Sequence, residues 1–455
     1  MSDTGALDAS FFDHAHDSYR RWREEGGVRR TRYPGPTPIE GWVITSYAQA
    51  RELLADPRLS KDGAVERFGR QAGLTQGPGS ALFTHMLNSD PPHHTRLRKL
   101  VQKAFTARRT AALRPMIEAH VTGLLDAWEG REEAELISEF ALPLPVAVMF
   151  DLFGASDADH ETLQVRGNSL DGGQGDGEVS VFTAESMAAY LRALIALKRE
   201  QPDDGLLSAL LQARGSDDGA MGTGGAEATI AEGKEVQAGG ARGAQAGGGR
   251  GAQAGGGEGV QAGGARGAQA GGGDEVLSED EITSMAFLLF IAGHQTTVNL
   301  IANGIHTLLT HPGQLAALRA DMTLMPGAVE EILRYESPSA LASFRYATEP
   351  VEAGGETLAE GEFVHVSLLG ANRDPDVFPE PDRFDIRRAE ASRHMAFGHG
   401  IHHCLGAPLA RLQAEIAFTQ LLTRYPGLRL SEDHAARWQA NPRHRGLLSL
   451  PLRLR

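Results

Sequence analysis

Apolar residues recur at three- and four-residue intervals through most of this chain, and stretches of strict alternation are few. The longest helical signal is SEDEITSMAFLLFIAGHQTTVNLIANGIHTLLTH, which runs from Ser278 to His311 without a proline. Ser278 and Glu281 stand at the spacing of a capping box, which predicts where this helix starts. At 1.5 Å per residue it would reach about 50 Å, enough to cross a domain. From Met285 to Ala292 it is apolar on every side, so this part is expected to be buried. The periodicity predicts further helices over 94–106, 110–127, 183–199, 312–320, 326–335 and 407–423, and a short amphipathic one over 203–214. Strand-like pieces are GWVITS (41–46), FRYATEP (344–350), FVHVSLL (363–369) and alternating segments near 428 and 451. The pattern predicts a mainly α fold with a small β-sheet region.

One stretch breaks the pattern. From Gln237 the chain reads QAGGARGA, QAGGGRGA, QAGGGEGV, QAGGARGA, QAGGGDEV, five eight-residue copies ending at Val276. Solenoid repeats are longer and carry an apolar face. These copies have almost nothing to bury, and glycine loses the most entropy on ordering. Residues 216–275 are therefore read as a flexible, low-complexity insertion at a surface loop that tolerates length.

Length and charge narrow the function. A chain of 455 residues suggests two or more domains on size alone. The formal net charge of −15 argues against nucleic acid as a partner, since a polyanion needs a basic surface. The N-terminus MSDTGALDASFFDHAHDSYRRW lacks a basic region followed by an apolar one, so no signal peptide is expected. No uninterrupted apolar run reaches the ~20 residues of a membrane span. The single cysteine can form neither an intrachain disulfide nor a cysteine-based zinc cage. Together these features predict a cytoplasmic protein without a membrane anchor.

That cysteine, Cys404, lies in FGHGIHHCLG (397–406), beside His399, His402 and His403. Glycines 398, 400 and 406 bracket it, and Pro408 sits at the first turn of the helix that follows. A loop feeding a helix N-terminus offers unpaired backbone N–H groups, which favour a thiolate. Glycines also allow a flat, bulky group to approach the backbone. On these residues alone the roles open to Cys404 are a thiolate ligand beside a flat, bulky group, a small buried hydrophobe, or part of a zinc site with the histidines.

The stretch resembles the haem-ligand loop of the cytochrome P450 family, F-G-x-G-x-H-x-C-x-G, at Phe397, Gly398, Gly400, His402, Cys404 and Gly406. The resemblance implies that Cys404 is the axial thiolate on the iron of haem b, which favours O–O cleavage. Phe397 would pack near the ligand and His402 would meet a haem propionate, leaving His399 and His403 as bystanders. AGHQTT (292–297) resembles the family's oxygen-binding kink, where Ala292 and Gly293 leave room above the haem and Thr296 hydrogen-bonds dioxygen or its water. The family has an acid before that threonine. Here it is Gln295, whose amide cannot deliver a proton, which puts the usual acid–alcohol pathway in doubt. EEILR places Glu331 and Arg334 on one helical face, and FPEPDRFD supplies Arg383, matching the family's Glu–Arg–Arg network. ANRDP (371–375) also matches. His94, Arg98 and Arg345 stand where the family holds the propionates, giving with His402 a four-residue clamp.

The motifs follow the family's order and cover nearly the whole chain outside 216–275. The resemblance therefore implies one cytochrome P450 domain over 1–455, a helical triangular prism, rather than several domains. It implies a haem-thiolate monooxygenase that inserts one atom of O2 into a small organic substrate by hydroxylation or epoxidation. The soluble bacterial class receives electrons from NAD(P)H through a reductase and a ferredoxin, works as a monomer, and often tailors polyketides, macrolides or terpenoids. Arg96, Lys99, Lys103, Arg108 and Arg109 form either a docking face for that ferredoxin or a merely solvated helical face. The loops at about 60–88 and 160–185 are expected to line the substrate pocket. A peroxide-driven peroxygenase, which the loss of the acid at 295 would suit, and a non-catalytic haem-binding protein are the alternatives.

Overall fold

The computed structural model describes residues 7, 9–33, 37–71, 80–103, 105–155, 184–212 and 277–455. The insertion at 216–275 and residues 160–183 of the expected pocket loop lie outside them. The helix Glu279–Thr310 passes through the centre of the structure. Its capping box is present in both directions: the Glu281 amide donates to Ser278 Oγ at 3.2 Å, and the Ser278 amide to Glu281 Oε2 at 2.8 Å. Glu279, Asp280 and Glu281 also place negative charge at the positive end of the helix dipole.

Two apolar clusters pack along this central helix. One joins Val298, Ile301 and Ile305 to the helices Arg114–Asp126, Met325–Tyr335 and Ala407–Arg424. The other joins Met285 to Phe290 to Pro143–Phe153, Ala184–Glu200 and Leu206–Gln212. Gly304 lets the two longest helices close up, because a Cβ there would collide with the Phe418 ring. The elements up to Arg214 and from Leu277 onward belong to one compact unit.

Among the described residues there are ten short strands: β1 (Val28–Tyr33), β2 (Ile39–Ile44), β3 (Leu59–Ser60), β4 (Glu133–Glu135), β5 (Arg345–Ala347), β6 (Val351–Ala353), β7 (Glu356–Leu358), β8 (Phe363–Val366), β9 (Arg429–Leu430) and β10 (Pro451–Arg453). The main sheet has the order β1-β2-β8-β5-β3, with β2 and β8 parallel and the other pairs antiparallel. The sheet β4-β10-β9 and the hairpin β6-β7 are separate. The mainly α reading with a small sheet region holds.

Several expectations are corrected. The helix expected over 110–127 is two, Ala107–Ala112 and Arg114–Asp126. Strand β1, VRRTRY, carries too much charge to read as a strand, yet Thr31 and Tyr33 face inward while Arg30 spreads over the Trp42 ring at 5.7 Å. The central helix is, by length and composition, apolar enough to span a membrane. It is also 72% buried over its apolar window, so its hydropathy is that of a core helix. Burial does not extend to Ala292: Ile291 is half-buried and Ala292 exposed.

The glutamate–arginine network is rewired. Glu331 and Arg334 are fully buried and pair twice, at 2.7 and 2.8 Å. Arg383 does not close the network. Its side chain is exposed and pairs with Glu380 and Asp385. Arg388 takes that place, 3.2 Å from Glu331 Oε1, while the Arg383 carbonyl turns inward to accept from both Arg334 and Arg388. ANRDP ties this network to the cysteine loop: Asn372 donates to Ser337 at 2.8 Å and accepts from the Met395 amide at 2.6 Å.

Candidate active site

The loop Phe397–Gly406 folds back before the helix Ala407–Arg424. Gly398 and Gly400 adopt φ values of +75° and +73°. A Cβ on Gly400 would also lie 2.9 Å from the Leu54 carbonyl. The Cys404 amide donates to the Phe397 carbonyl at 2.9 Å. The backbone N–H groups of Gly406 and Ala407, at the helix start, point to the Cys404 sulfur. Burial pushes the thiol up, and these N–H groups, Arg98 and Arg411 act against it.

Cys404 is nonetheless accessible to solvent. A group that protein surrounds and solvent still reaches faces an internal cavity. The central helix shows the same signature: Ala292 is exposed and Thr296 half-buried, although 285–290 and 297–305 are buried. Leu405 packs against the apolar cluster that contains Phe287 and Phe290, which sets Cys404 beneath this helix. Thr296 Oγ1 donates to the Ala292 carbonyl at 3.1 Å, and Thr297 repeats the bond to Gly293. Such bonds bend a helix rather than break it, and Glu279–Thr310 is continuous. Gln295 is buried beside this face. Gly293 does not leave room over the cavity as expected. A Cβ there would meet Met149 Sδ at 2.6 Å, so its missing side chain accommodates the helix Pro143–Phe153.

The rim of the cavity is cationic. His94 is buried with neither ring nitrogen bonded, and its ring lies 4.4 Å from that of His402. Burial, then Lys61 and Arg345, push His402 down to about 2. Arg345 is buried and, among the described residues, its side chain bonds the Ser343 carbonyl alone, at 3.0 Å. Lys61 is buried and donates to Ser343 Oγ at 2.5 Å. Arg98 donates to the His403 carbonyl at 2.7 Å. None of Lys61, Arg98 and Arg345 forms an ion pair among the described residues; Arg98 is half-buried, but Lys61 and Arg345 are buried, and isolated buried cations are costly. The set fits a flat group with an iron for Cys404 and two carboxylates for the cations, which is the description of haem.

Behind the loop, the Arg411 guanidinium lies 4.6 Å over the Phe397 ring and bonds Glu330 at 2.6 and 2.9 Å. His394 Nε2 lies 3.2 Å from Glu330. Burial raises Glu330, and His394 and Arg411 outweigh it, holding the carboxyl at about 2.

Cytochrome P450 107B1 of Saccharopolyspora erythraea is 42% identical over the whole chain and 98% of its own length. The chain belongs to the cytochrome P450 family. The family model for Cytochrome P450 matches residues 265–435. The P450 monooxygenase PikC of Streptomyces venezuelae is 41% identical, over the whole chain and 94% of its length. The ligand-free P450 monooxygenase TamI superposes with a TM-score of 0.79 at 39% identity, over the whole chain and 95% of TamI. A second TamI structure holds tirandamycin C. The protein is a P450 monooxygenase that uses haem and O2.

Within this P450, sequence reasoning pointed to Cys404, His94, Arg98, Arg345 and His402, and the structure places them close together: the His94 and His402 rings lie 4.4 Å apart, Arg98 bonds the His403 carbonyl, and Arg345 acts on His402. It missed Lys61, Arg388, Arg411 and Arg443, which no motif marks. Arg411 alone left a trace: seven residues after Cys404, on a helix, it can return to the loop. The basic face is smaller than expected, because Arg96 is paired with Glu281. Lys99, Lys103, Arg108 and Arg109 are exposed.

Proposed function

We propose that this P450 holds its haem through Cys404, with His94, Arg98, Arg345 and His402 on the propionates, and oxidises a bulky organic molecule of secondary metabolism. The observation that carries this reading is the accessible sulfur of Cys404 close to Lys61, Arg98 and Arg345, none of which forms an ion pair among the described residues. A haem bound there supplies iron-centred reduction of dioxygen. The chain's own residues do the rest. The Gly406 and Ala407 amides stabilise the thiolate, Phe397 would shield it, and the exposed Ala292 would leave room for the group it holds. Thr296 holds a proton at Oγ1 on the cavity face, and Gln295 orients a hydrogen bond without supplying an acidic proton. TamI, a relative of similar length, binds tirandamycin C, which supports a large natural product as substrate.

Electrons come from NAD(P)H by way of a reductase and a ferredoxin that docks on Lys99, Lys103, Arg108 and Arg109, on an otherwise acidic monomer in the cytoplasm. The reduced carbon monoxide complex tests the ligand. The wild type is expected to show the strongly red-shifted Soret band of thiolate ligation, and Cys404→Ser to lack it. A variant that keeps the band refutes the assignment.

A further inference from the structure

Among the described residues, Arg443 is a cation close to this cluster, its guanidinium 6.0 Å from the Phe344 ring, that haem would not account for. It lies in the C-terminal segment, where its backbone is held from both sides: its amide donates to Asn441 Oδ1 at 2.9 Å, and its carbonyl accepts from Ala340 at 2.9 Å. Its neighbour Arg445 shows how this fold treats a buried guanidinium. Arg445 bonds Glu336 at 2.8 Å and stacks 3.4 Å from the Trp438 ring. Arg443 has neither an ion pair nor a side-chain hydrogen bond among the described residues, and its buried Nε is unpartnered. The nearest aromatic contact is the Phe344 ring at 6.0 Å.

The surroundings are just as short of negative charge. Lys61, His85, His365 and His444 all sense the Arg443 charge, and burial keeps the three histidines neutral. His85, His365 and His444 each have a ring nitrogen with no partner. Asp90, which acts on Lys61, His94 and Arg345, does not register at Arg443. With haem bound the iron would take up the thiolate charge, and two propionates together with Asp90 would answer Arg98, Lys61 and Arg345. Arg443 is left over, half-buried and facing the interior, beside His444, which lies within electrostatic reach of His294 on the central helix.

We propose that Arg443 recognises an acidic group on the substrate, so that this P450 takes organic acids, bearing a carboxylate or an enol of similar acidity, in preference to their neutral counterparts. The inference rests on the monooxygenase reading and names the substrate class within it. The unpartnered histidine nitrogens supply neutral N–H donors for the same anion, and the arginine fork supplies the charge.

The test is optical titration of the haem-loaded enzyme with two acids of different shape, myristate and lithocholate, and with 1-tetradecanol and methyl lithocholate. The carbon monoxide spectrum is recorded first, so that failure of haem-thiolate ligation is seen separately. Wild type is expected to bind at least one acid about 10-fold or more tightly than its neutral counterpart, the size of a charge-assisted hydrogen bond. Arg443→Gln is expected to bring acid and neutral ligand to within about 3-fold, and Arg443→Lys to retain most of the preference. Haem transfer to apomyoglobin is measured on the same variants and is expected to be unchanged. No preference in wild type, no binding by either acid, or a preference that survives Arg443→Gln overturns the proposal. Faster haem loss in Arg443→Gln with the preference intact assigns the residue to a propionate and overturns it as well.

Discussion

Arg383 and Arg388 allow a direct test of the rewired network beneath the cysteine loop. Arg388 Nε lies 3.2 Å from Glu331 Oε1, and its other nitrogens bond the carbonyls of Pro379, Glu380 and Arg383 at 2.5, 3.1 and 2.7 Å. Its side chain is 7% exposed and that of Glu331 is fully buried. Removing Arg388 takes the donor from the Pro379 carbonyl, leaves the Glu380 and Arg383 carbonyls with one donor each, and weakens the neutralisation of a carboxylate that water cannot reach. Breaking such a buried pair costs about 3–5 kcal/mol. Arg383 is 58% exposed, with partners on the surface, and exposed pairs are worth about 0–1 kcal/mol. Arg388→Ala is therefore expected to lower the urea midpoint strongly, and Arg383→Ala hardly at all. Unfolding is followed by loss of the thiolate-type carbon monoxide band, because the network supports the loop that carries Cys404. The bound cofactor makes unfolding other than two-state, so midpoints under identical haem loading are compared. Equal midpoint losses in the two variants would refute the assignment, as would a larger loss for Arg383→Ala.

The remaining predictions concern the two faces of the cavity and the insertion. Glu330 is held at about 2, below its ordinary 4.5, so its contribution to stability is present above pH 4.5 and lost as pH falls towards 2; acid titration of Glu330→Gln should show a shallower loss across that window, and an unchanged profile counts against the Arg411–Glu330 contact. Gly293→Ala drives a methyl towards Met149 Sδ and is expected to cost about 1–3 kcal/mol by overpacking; the double variant with Met149→Ala should recover part of it, and a neutral single variant would show that the helix contact is loose. Gln295→Glu restores an acid beside Thr296 and is expected to raise product formed per NADPH consumed, whereas an equal or lower ratio would remove Gln295 from the proton path. Deleting 237–276 should leave haem content and thermal midpoint unchanged, and loss of holoprotein would show that the repeat is part of the folded core.

How much of this was readable in advance depended on the range of the interactions. The start of the central helix was legible because a capping box is closed within four residues. The glycines around Cys404 were legible because backbone conformation and helix start are local. The distinction between Arg383 and Arg388 was not, since both lie on one short loop and only its turn over Glu331 decides which side chain enters the core. Strand β1 was hidden for a related reason: its arginines are tolerated because Trp42, Glu40 and Glu362 lie beside them in the folded sheet.

By itself the sequence determined the helix-rich class, the thiolate loop, the loss of the acid at 295 and the histidine–arginine spacing of the His93–Gln102 helix. Those are matters of backbone preference and side-chain chemistry over a few residues. Tertiary structure alone decided which charges find partners. Arg445 meets Glu336 across 109 positions, while Arg443, two residues earlier, meets no carboxylate among the described residues. A charge is neutralised by what packs against it, and packing partners come from anywhere in the chain. The proposed haem and acid sites rest on the cations left without ion pairs among the described residues.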